Sequence, residues 1–377
     1  MKKNFVAAVS VLVGTCIGAG ILGIPYVASK TGFIPVLFYI LLLGGIILLL
    51  NLYLGEITLR TKEVHQLPGY AEKYLGKKAR KIMELATIFG IYAAIIAYIF
   101  GVGESLSALF FGSLKYSVYL GVAFGLFMSI MIWKGVKSLK KYEKFGVAIV
   151  LILVSLIFLF FVGKINLSNL NYFNSANLFL PFGVVLFALI SFFAVPEVVL
   201  ILRNEKKKMK PAIFTGVAIS VFVYILFVLV VVGFKGSETP EVATLALGGV
   251  FILLGIFTMS TAYLSLGNAL EEVFQFDDRY KRFRSWFLSS IIPVFIYFLI
   301  SFSSFFSFTK ILSIGGVISG GTIAILILFM VRKSKKVGER KPEYKIPVNW
   351  FLIITLSAIF VLGVLREVFV AIKNFGL

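Results

Sequence analysis

The sequence predicts an all-α polytopic membrane protein. Hydrophobic residues make up 60% of the 377 residues and charged residues only 14%, which is more apolar surface than a water-soluble domain can bury. Apolar runs of about 20 residues, the length that crosses a bilayer as an α-helix, recur along the whole chain. No small-residue cleavage site follows the first run, so we expect it to remain as a span rather than to be removed as a signal peptide. The eleven predicted spans lie at 5–29, 33–58, 82–111, 115–133, 145–163, 179–202, 211–234, 242–273, 286–304, 309–331 and 350–372.

The net charge of +20 is distributed unevenly among the loops. With the N-terminus placed in the cytoplasm, 30 of the 37 Lys and Arg residues lie in loops on that side and 7 lie on the other. Such an excess of basic residues in cytoplasmic loops orients membrane proteins. We therefore predict a multi-pass protein of the cell membrane with a cytoplasmic N-terminus and an extracellular C-terminus. The basic loops are expected to meet anionic lipid headgroups of the bilayer rather than nucleic acid.

The chain contains one cysteine, Cys16, and one histidine, His65. A single cysteine forms no disulfide within the chain, and His65 lies in a loop without neighbours of the type that bind metals. We therefore expect no metal centre, no histidine-based catalytic triad and no cofactor. Because no catalytic pair of His, Cys, Asp or Glu stands inside the spans, the protein is not expected to be an enzyme. No added partner-binding segment is visible, so no obligate protein partner is predicted.

The eleven spans divide into two groups of five and one further span. The polar stretch 164–178 separates the first group, in residues 1–163, from the second, in residues 179–331, and residues 332–377 hold a loop and the last span. With the N-terminus inside, the first span of one group runs outward and the first span of the other runs inward. The two groups are therefore predicted to have inverted topology.

Each group begins with a span whose sequence interrupts a helix. Residues 14–25, GTCIGAGILGIP, contain four glycines and a proline, and residues 191–197, SFFAVPE, place a proline near the middle of the sixth span. Paired interruptions in corresponding helices are the best sequence-level sign of a transporter binding site. The alternative for the glycines is close packing against a neighbouring helix.

The two interruptions would expose complementary backbone groups. An unwound first span would turn the amides of Gly18, Ala19 and Gly20 toward a cavity, at the positive end of a helix dipole. The sixth span runs the other way, so its first half would end near Ser191 with carbonyls exposed. An amino acid zwitterion fits both ends, with its carboxylate at the amides and its ammonium at the carbonyls. The candidate substrate-binding residues are Thr15, Cys16, Ile17, Gly18, Ala19, Gly20, Ser191, Phe192, Phe193 and Ala194, of which the two phenylalanines would cover the substrate or else face lipid.

Residues 14–29, GTCIGAGILGIPYVAS, resemble the first-helix signature of the amino acid/polyamine/organocation superfamily. Residues 191–199, SFFAVPEVV, are similar to the sixth-helix stretch of its hydroxy- and aromatic-amino-acid permease and amino acid/auxin permease branches. The resemblance implies a leucine-transporter-like fold, with a 5+5 inverted repeat, one extra helix and discontinuous helices 1 and 6. It also implies secondary transport of amino acids. The positions that match the first signature are Gly14, Ile17, Gly18, Gly20, Ile21 and Pro25.

Two carboxylates within the spans are candidates for proton coupling. Ionisable groups at membrane depth cost free energy, so those that are present usually have a function. Glu104 lies in the outer part of the third span, and Glu197 follows the interruption of the sixth. Desolvation could keep either carboxyl protonated near working pH. The alternatives are an interfacial pairing with lysines for Glu104 and a helix-capping role for Glu197.

The eighth span carries two adjacent hydroxyl groups, on Ser260 and Thr261. With backbone carbonyls near Gly14 and Ile17 they could coordinate Na⁺, which takes oxygen ligands, and in the resembled fold a hydroxyl pair on the eighth helix completes a sodium site at this place. The alternative is that both hydroxyls bond back to their own helix. Some proton-coupled relatives replace that ion with a lysine on the fifth helix, but residues 145–163 contain no lysine.

These features together predict a symporter of amino acids, driven by H⁺ or Na⁺, that works by alternating access. The stretches that would line the pocket contain no Lys, Arg or Asp, so a neutral, apolar or aromatic amino acid is the expected substrate. Two alternatives stay open. One is an amino-acid-binding membrane sensor with the same fold and no net transport, and the other, because of Glu197, is a permease for cationic amino acids.

Overall fold

The computed structural model describes residues 2–18, 20–135, 143–277, 280–303 and 305–375. Within these ranges the regular elements are helices, and no strand is present. Apolar runs form helices because a helix satisfies its backbone hydrogen bonds internally, as a bilayer requires. The α-helices are α1 (Lys2–Cys16), α2 (Gly20–Thr31), α3 (Phe33–Arg60), α4 (Leu67–Leu75), α5 (Lys77–Phe111), α6 (Ser117–Trp133), α7 (Glu143–Phe161), α8 (Pro181–Leu189), α9 (Val195–Ile201), α10 (Met209–Lys235), α11 (Gly249–Glu272), α12 (Arg282–Trp286), α13 (Ile292–Ile300), α14 (Phe308–Gly315), α15 (Gly321–Val337) and α16 (Trp350–Phe375).

The described chain has eight helical segments that are long and apolar enough to cross a membrane, and the bent pair α1 and α2, counted as one span, makes nine. The two other predicted spans coincide with α6 and with the apolar segment Val150–Lys164, which overlaps α7, and both are shorter than 18 residues. The predicted class, an all-helical multi-pass membrane protein, is therefore confirmed. The number of eleven spans does not follow from helix length alone and stays a prediction.

One predicted span begins later than the sequence indicates. The sequence predicts the eighth span from residue 242, whereas α11 begins at Gly249. Residues Ala243–Ala246 form a separate 3₁₀ turn, and Gly248 then has a φ of 93°. A positive φ suits glycine and ends regular helix geometry, so the α-helix starts only after this residue.

The centre of the packing is formed by α5 and α10. Helix α5 packs against α4, α6, α11 and α14, and α10 packs against α1, α2, α3 and α7. A Cβ atom on Gly216 of α10 would lie 2.7 Å from Leu12 Cβ on α1, so a glycine is what lets these two helices approach so closely. The pair α1 and α2 also contacts α8 and α9. The two predicted interruptions are therefore neighbours in space.

The segment between α15 and α16, residues 338–349, folds back onto the end of α3, and we call it the return segment. The Glu339 N–H donates to the Arg60 carbonyl at 2.9 Å. The Tyr344 hydroxyl donates to the Leu52 carbonyl at 2.8 Å. These bonds hold the loop against the helix, whereas the sequence shows only a polar, basic stretch.

The connection between the second and third predicted spans contains a short amphipathic helix, α4, with Pro at the start of its first turn. Apolar residues recur in it at spacings of three and four, which places them on one helix face. That face packs against α5 and α15. Its buried residues are Leu67, Tyr70, Ala71 and Tyr74.

Candidate functional site

The first interruption separates α1, which ends at Cys16, from α2, which begins at Gly20, and the two axes are bent by 50°. The Gly18 N–H donates to the Cys16 carbonyl at 2.9 Å, which makes a tight turn. The sequence predicts a free amide at Gly18, but this amide already has a hydrogen bond. Ala19, another predicted contact, lies outside the described residues. The amides left for a ligand are therefore those that open α2.

The second interruption separates α8, which ends at Leu189, from α9, which begins at Val195. Residues Phe192–Ala194 form a 3₁₀ turn between them. No glycine is needed here, because Pro196 has no N–H to donate to the carbonyl of Phe192. The local hydrogen bonding therefore changes from α to 3₁₀ ahead of the proline.

One side chain from a third helix contacts both interruptions. The Tyr224 hydroxyl, on α10, lies 2.6 Å from the Cys16 carbonyl and 2.7 Å from the Ala188 carbonyl, and the side chain is fully buried. The Cys16 thiol lies 3.7 Å from the Leu189 carbonyl. A Cβ atom on Gly20 would lie 2.5 Å from Ala188 Cα, so Gly20 packs against the α8 backbone, which is the alternative that the sequence left open for the glycines.

A second buried contact reaches the sixth span from α3. The Asn51 side-chain amide donates to the Ser191 hydroxyl at 2.7 Å, and that hydroxyl lies 3.3 Å from the Leu189 carbonyl. Asn51 is fully buried, and its Oδ1 atom has no hydrogen-bond partner within the described part of the chain. The sequence predicts that carbonyls near Ser191 are exposed to a ligand. Those at the end of α8 instead face protein side chains.

The predicted substrate-binding residues differ in exposure. Gly18 faces α5, where a Cβ atom on it would lie 3.2 Å from the Tyr98 hydroxyl. The Thr15 hydroxyl donates to the Val11 carbonyl of its own helix at 2.8 Å. Gly18 therefore lies close to α5 while it remains partly exposed. Thr15, Gly18 and Phe193 are partly exposed, whereas Cys16, Ile17, Gly20, Ser191, Phe192 and Ala194 are buried.

The two hydroxyls proposed as sodium ligands bond to their own helix. The Ser260 hydroxyl donates to the Ile256 carbonyl at 2.7 Å, and the Thr261 hydroxyl donates to the Thr258 carbonyl at 2.9 Å. Their helix, α11, packs chiefly against α5 and also against α6 and α7. Because both hydroxyls act as donors in these bonds, their oxygen lone pairs remain available to a cation.

The two candidate carboxylates occupy different environments. Glu104 is partly buried on α5, which is the helix that faces Gly18. Glu197 lies in the first turn of α9 and is exposed. Its side chain therefore lies outside the buried contact between the interruptions.

Tyr224 and Asn51 were not among the residues that the sequence singled out. Asn51 stands in the apolar run LLLNLYL, and an amide inside a span is a signal that could have identified it. Tyr224 is one of 16 tyrosines, and nothing in its neighbours distinguishes it. Its position against two carbonyls depends on the packing of α10.

The chain is similar to known transport proteins. Residues 1–239 match the profile of the tryptophan/tyrosine permease family. A stretch of 148 residues is 34% identical to the tyrosine-specific transport system 1 of Haemophilus influenzae and covers 38% of this chain and 36% of that protein. A stretch of 243 residues is 26% identical to glutamine transporter 2 of Aliivibrio fischeri and covers 62% of each chain. The chain thus matches less than two thirds of the length of either relative.

Proposed function

Because the chain belongs to the tryptophan/tyrosine permease family, we propose that it carries a neutral amino acid across the membrane as a secondary active transporter. Tyrosine and tryptophan are the first candidate substrates, in keeping with the family and with the tyrosine-specific relative. Glutamine is the second candidate, because another relative is a glutamine transporter. All three amino acids have uncharged side chains.

The observation that carries the proposal is the contact between the two interrupted spans. Helix α2 begins beside this contact, and the first amides of a helix have no partner within the helix. With the helix dipole behind them, such amides bind carboxylates. None of the described candidate substrate-binding residues is charged, which favours a substrate without a charged side chain. The partly exposed Gly18 marks the side from which a ligand would approach.

The proposal includes an arrangement of the whole chain. The bent pair α1 and α2 would be the first span, and the helices α8 and α9 the sixth, in a 5+5 inverted repeat followed by α16. The face that carries α4 and the return segment would be cytoplasmic, because basic residues concentrate there. Alternating access would then move the interrupted spans relative to α5 and α11.

The coupling ion is proposed to be H⁺ or Na⁺. Glu104 is the candidate proton carrier, because it is partly buried on the helix that faces Gly18. Ser260 and Thr261 are the candidate Na⁺ ligands. Glu197, being exposed on α9, is a second proton candidate on the outer surface of the bundle.

Counterflow into proteoliposomes tests the proposed function. Vesicles preloaded with unlabelled tyrosine or tryptophan are expected to accumulate labelled tyrosine, and vesicles preloaded with glutamate are not. Uptake driven by a Na⁺ gradient or by a pH gradient then identifies the ion. A Na⁺-driven protein is expected to lose its sodium dependence in the double variant Ser260→Ala, Thr261→Val, and a proton-driven one to show a flat pH profile in Glu104→Gln.

The same assay separates a transporter from a sensor. Tyrosine binding to the purified protein without any exchange across the bilayer would contradict the proposal and identify an amino-acid sensor. Exchange of lysine or arginine in preference to tyrosine would contradict the neutral-substrate assignment alone.

A further inference from the structure

We propose that Tyr224 and Asn51 are positioning residues. Their hydrogen bonds fix the positions of the two interrupted spans relative to each other. The inference rests on the proposed function, because the relation matters only if the interruptions bind the substrate. Neither residue belongs to the two interrupted spans themselves: Asn51 lies on α3 and Tyr224 on α10.

The Tyr224 hydroxyl has one hydrogen and two carbonyl acceptors. The acceptors are Cys16 at 2.6 Å and Ala188 at 2.7 Å, residues that lie 172 positions apart in the chain. Cys16 is the last residue of α1, and Ala188 is in the last turn of α8. Carbonyls at helix ends lack helical partners. The one hydrogen of the phenol is therefore shared between carbonyls at the ends of both helices.

The face of α10 that carries Tyr224 is fitted to this place. Gly216, Ser220 and Tyr224 are spaced four residues apart and therefore lie on one side of the helix. Gly216 packs on Leu12 of α1, and the Ser220 hydroxyl bonds back to the Gly216 carbonyl at 3.0 Å. The close approach of α10 to α1 brings the Tyr224 hydroxyl within hydrogen-bond distance of the Cys16 carbonyl.

Asn51, on α3, makes a second buried hydrogen bond to the sixth span, and we call the Tyr224 and Asn51 bonds the two ties. The Asn51 amide donates to the Ser191 hydroxyl at 2.7 Å, two residues after the end of α8 at Leu189. Both ties use fully buried, uncharged groups. The direct contacts between the ends of α1 and α8 include the long contact of the Cys16 thiol with the Leu189 carbonyl at 3.7 Å. Tyr224 therefore sets the spacing of the two ends, and Asn51 holds the end of the α8 half against α3.

The test uses Tyr224→Phe, which keeps the ring and removes the hydroxyl. The matched control is Tyr297→Phe, because Tyr297 is equally buried on α13 and its hydroxyl lies 3.4 Å from a single carbonyl, that of Ser117. Cys16 is the only cysteine of the chain and lies at the interruption, so its rate of alkylation by a small maleimide reports local opening. The dissociation constant for tyrosine and the melting temperature are measured on the same samples.

In Tyr224→Phe we expect faster alkylation of Cys16 and weaker tyrosine binding, each by about tenfold, the change that corresponds to one lost hydrogen bond. Tyr297→Phe is expected to match the wild type in both. The isosteric variant Asn51→Leu should move both readouts in the same direction, and it replaces Tyr224→Phe if that variant does not accumulate in the membrane.

Equal alkylation rates in Tyr224→Phe, Asn51→Leu and Tyr297→Phe would overturn the inference. A lower melting temperature with unchanged alkylation and unchanged tyrosine affinity would also overturn it, since it would show a role in stability alone. A wild-type protein that exchanges no amino acid would refute the proposed function, while the alkylation rates would still report whether the two residues hold the interruption closed.

Discussion

Two regions of the molecule join their helices by different chemistry. At the interruptions, α1, α3, α8 and α10 are tied by a phenol, an amide, a hydroxyl and backbone carbonyls, all without charge. At the end of α3 that meets the return segment, the ties are ionic. The fully buried Glu56 carboxylate accepts from the Arg60 guanidinium at 2.8 Å, from Lys335 at 3.1 Å and from the Ile346 N–H at 2.8 Å.

The difference follows from access to water. A charge deep in a bilayer is expensive even when paired, so the interrupted spans are held by neutral hydrogen bonds. Near the loops the partners of Glu56 are partly exposed, with Lys335 at 25% and Arg60 at 11% of their side-chain surface. Water can then stabilise the cations while the carboxylate stays inside. We therefore expect the neutral hydrogen bonds to be sensitive to changes in side-chain shape, and the ion pairs of Glu56 to be sensitive to salt and pH.

The largest effect is expected from Gly20→Leu, which changes shape but not charge. The added side chain would meet the α8 backbone, since a Cβ atom there lies 2.5 Å from Ala188 Cα, and backbone cannot move aside as a side chain can. Overpacking of this kind costs about 1–3 kcal/mol or more. We expect loss of tyrosine exchange and a lower melting temperature.

The control for Gly20→Leu is Gly45→Leu on the exposed side of α3, where no atom of the described residues lies within 4 Å of the added Cβ. That variant should behave as the wild type does. Unchanged exchange in Gly20→Leu would show that the two interruptions do not need to touch.

A smaller effect on tyrosine exchange is expected from Glu56→Gln, which keeps the shape and removes a charge away from the interruptions. The buried ion pairs with Arg60 and Lys335 are lost, at a cost of about 2–3 kcal/mol in the free energy of unfolding. Denaturation in detergent should show this loss at low salt and a slightly smaller loss at high salt, because salt screens partly buried ion pairs, although less than exposed ones.

The matched control is Glu63→Gln, a few residues further along in an exposed position. It is expected to leave the unfolding free energy unchanged. The change in unfolding free energy caused by Tyr224→Phe should not depend on salt. A salt dependence as large as that of Glu56→Gln would contradict the contrast between the two regions.

The smallest effect is expected from Glu339→Gln in the return segment. The Lys62 N–H, which donates at 2.8 Å, and then the Lys73 ammonium hold the pKa of Glu339 below its ordinary value of 4.5. A carboxyl with a lowered pKa in the folded state stabilises the fold above the unfolded pKa and loses this contribution as the pH falls through the folded value.

The melting temperature of Glu339→Gln should therefore be slightly below that of the wild type at pH 7. The two melting temperatures should converge as the pH is lowered below about 4.5, the ordinary carboxyl value. A difference that grows on acidification would refute the role given to the Lys62 and Lys73 contacts.

Much of the fold could be predicted from local properties. Apolar runs of spanning length and the excess of basic residues in alternate loops depend on composition, so the helical multi-pass class needed no knowledge of contacts. The glycines around Gly18 and the proline at 196 likewise act on their own backbone. The roles of the individual glycines could not be predicted, because Gly20 packs on Ala188 while Gly18 faces the partly exposed side toward Tyr98.

The candidate site could be predicted in part. The stretches 14–20 and 191–194 were identified from their sequence, and the structure brings α1 and α8 together through Tyr224. The sequence also predicted a free amide at Gly18 and free carbonyls near Ser191, which in the structure have hydrogen-bond partners. Such partners come from other helices or from a tight turn, and neither is encoded in a hydropathy pattern.

The sequence by itself determined that the chain is a bundle of membrane helices and where two of them carry helix-breaking residues. The tertiary structure alone decided that one hydroxyl joins the two helix ends, and that Ser260 and Thr261 bond to their own helix. The reason is the sequence separation over which each effect acts. Hydropathy and helix breaking act within a few residues, whereas Tyr224 and Cys16 are 208 residues apart and meet only because α10 packs against α1.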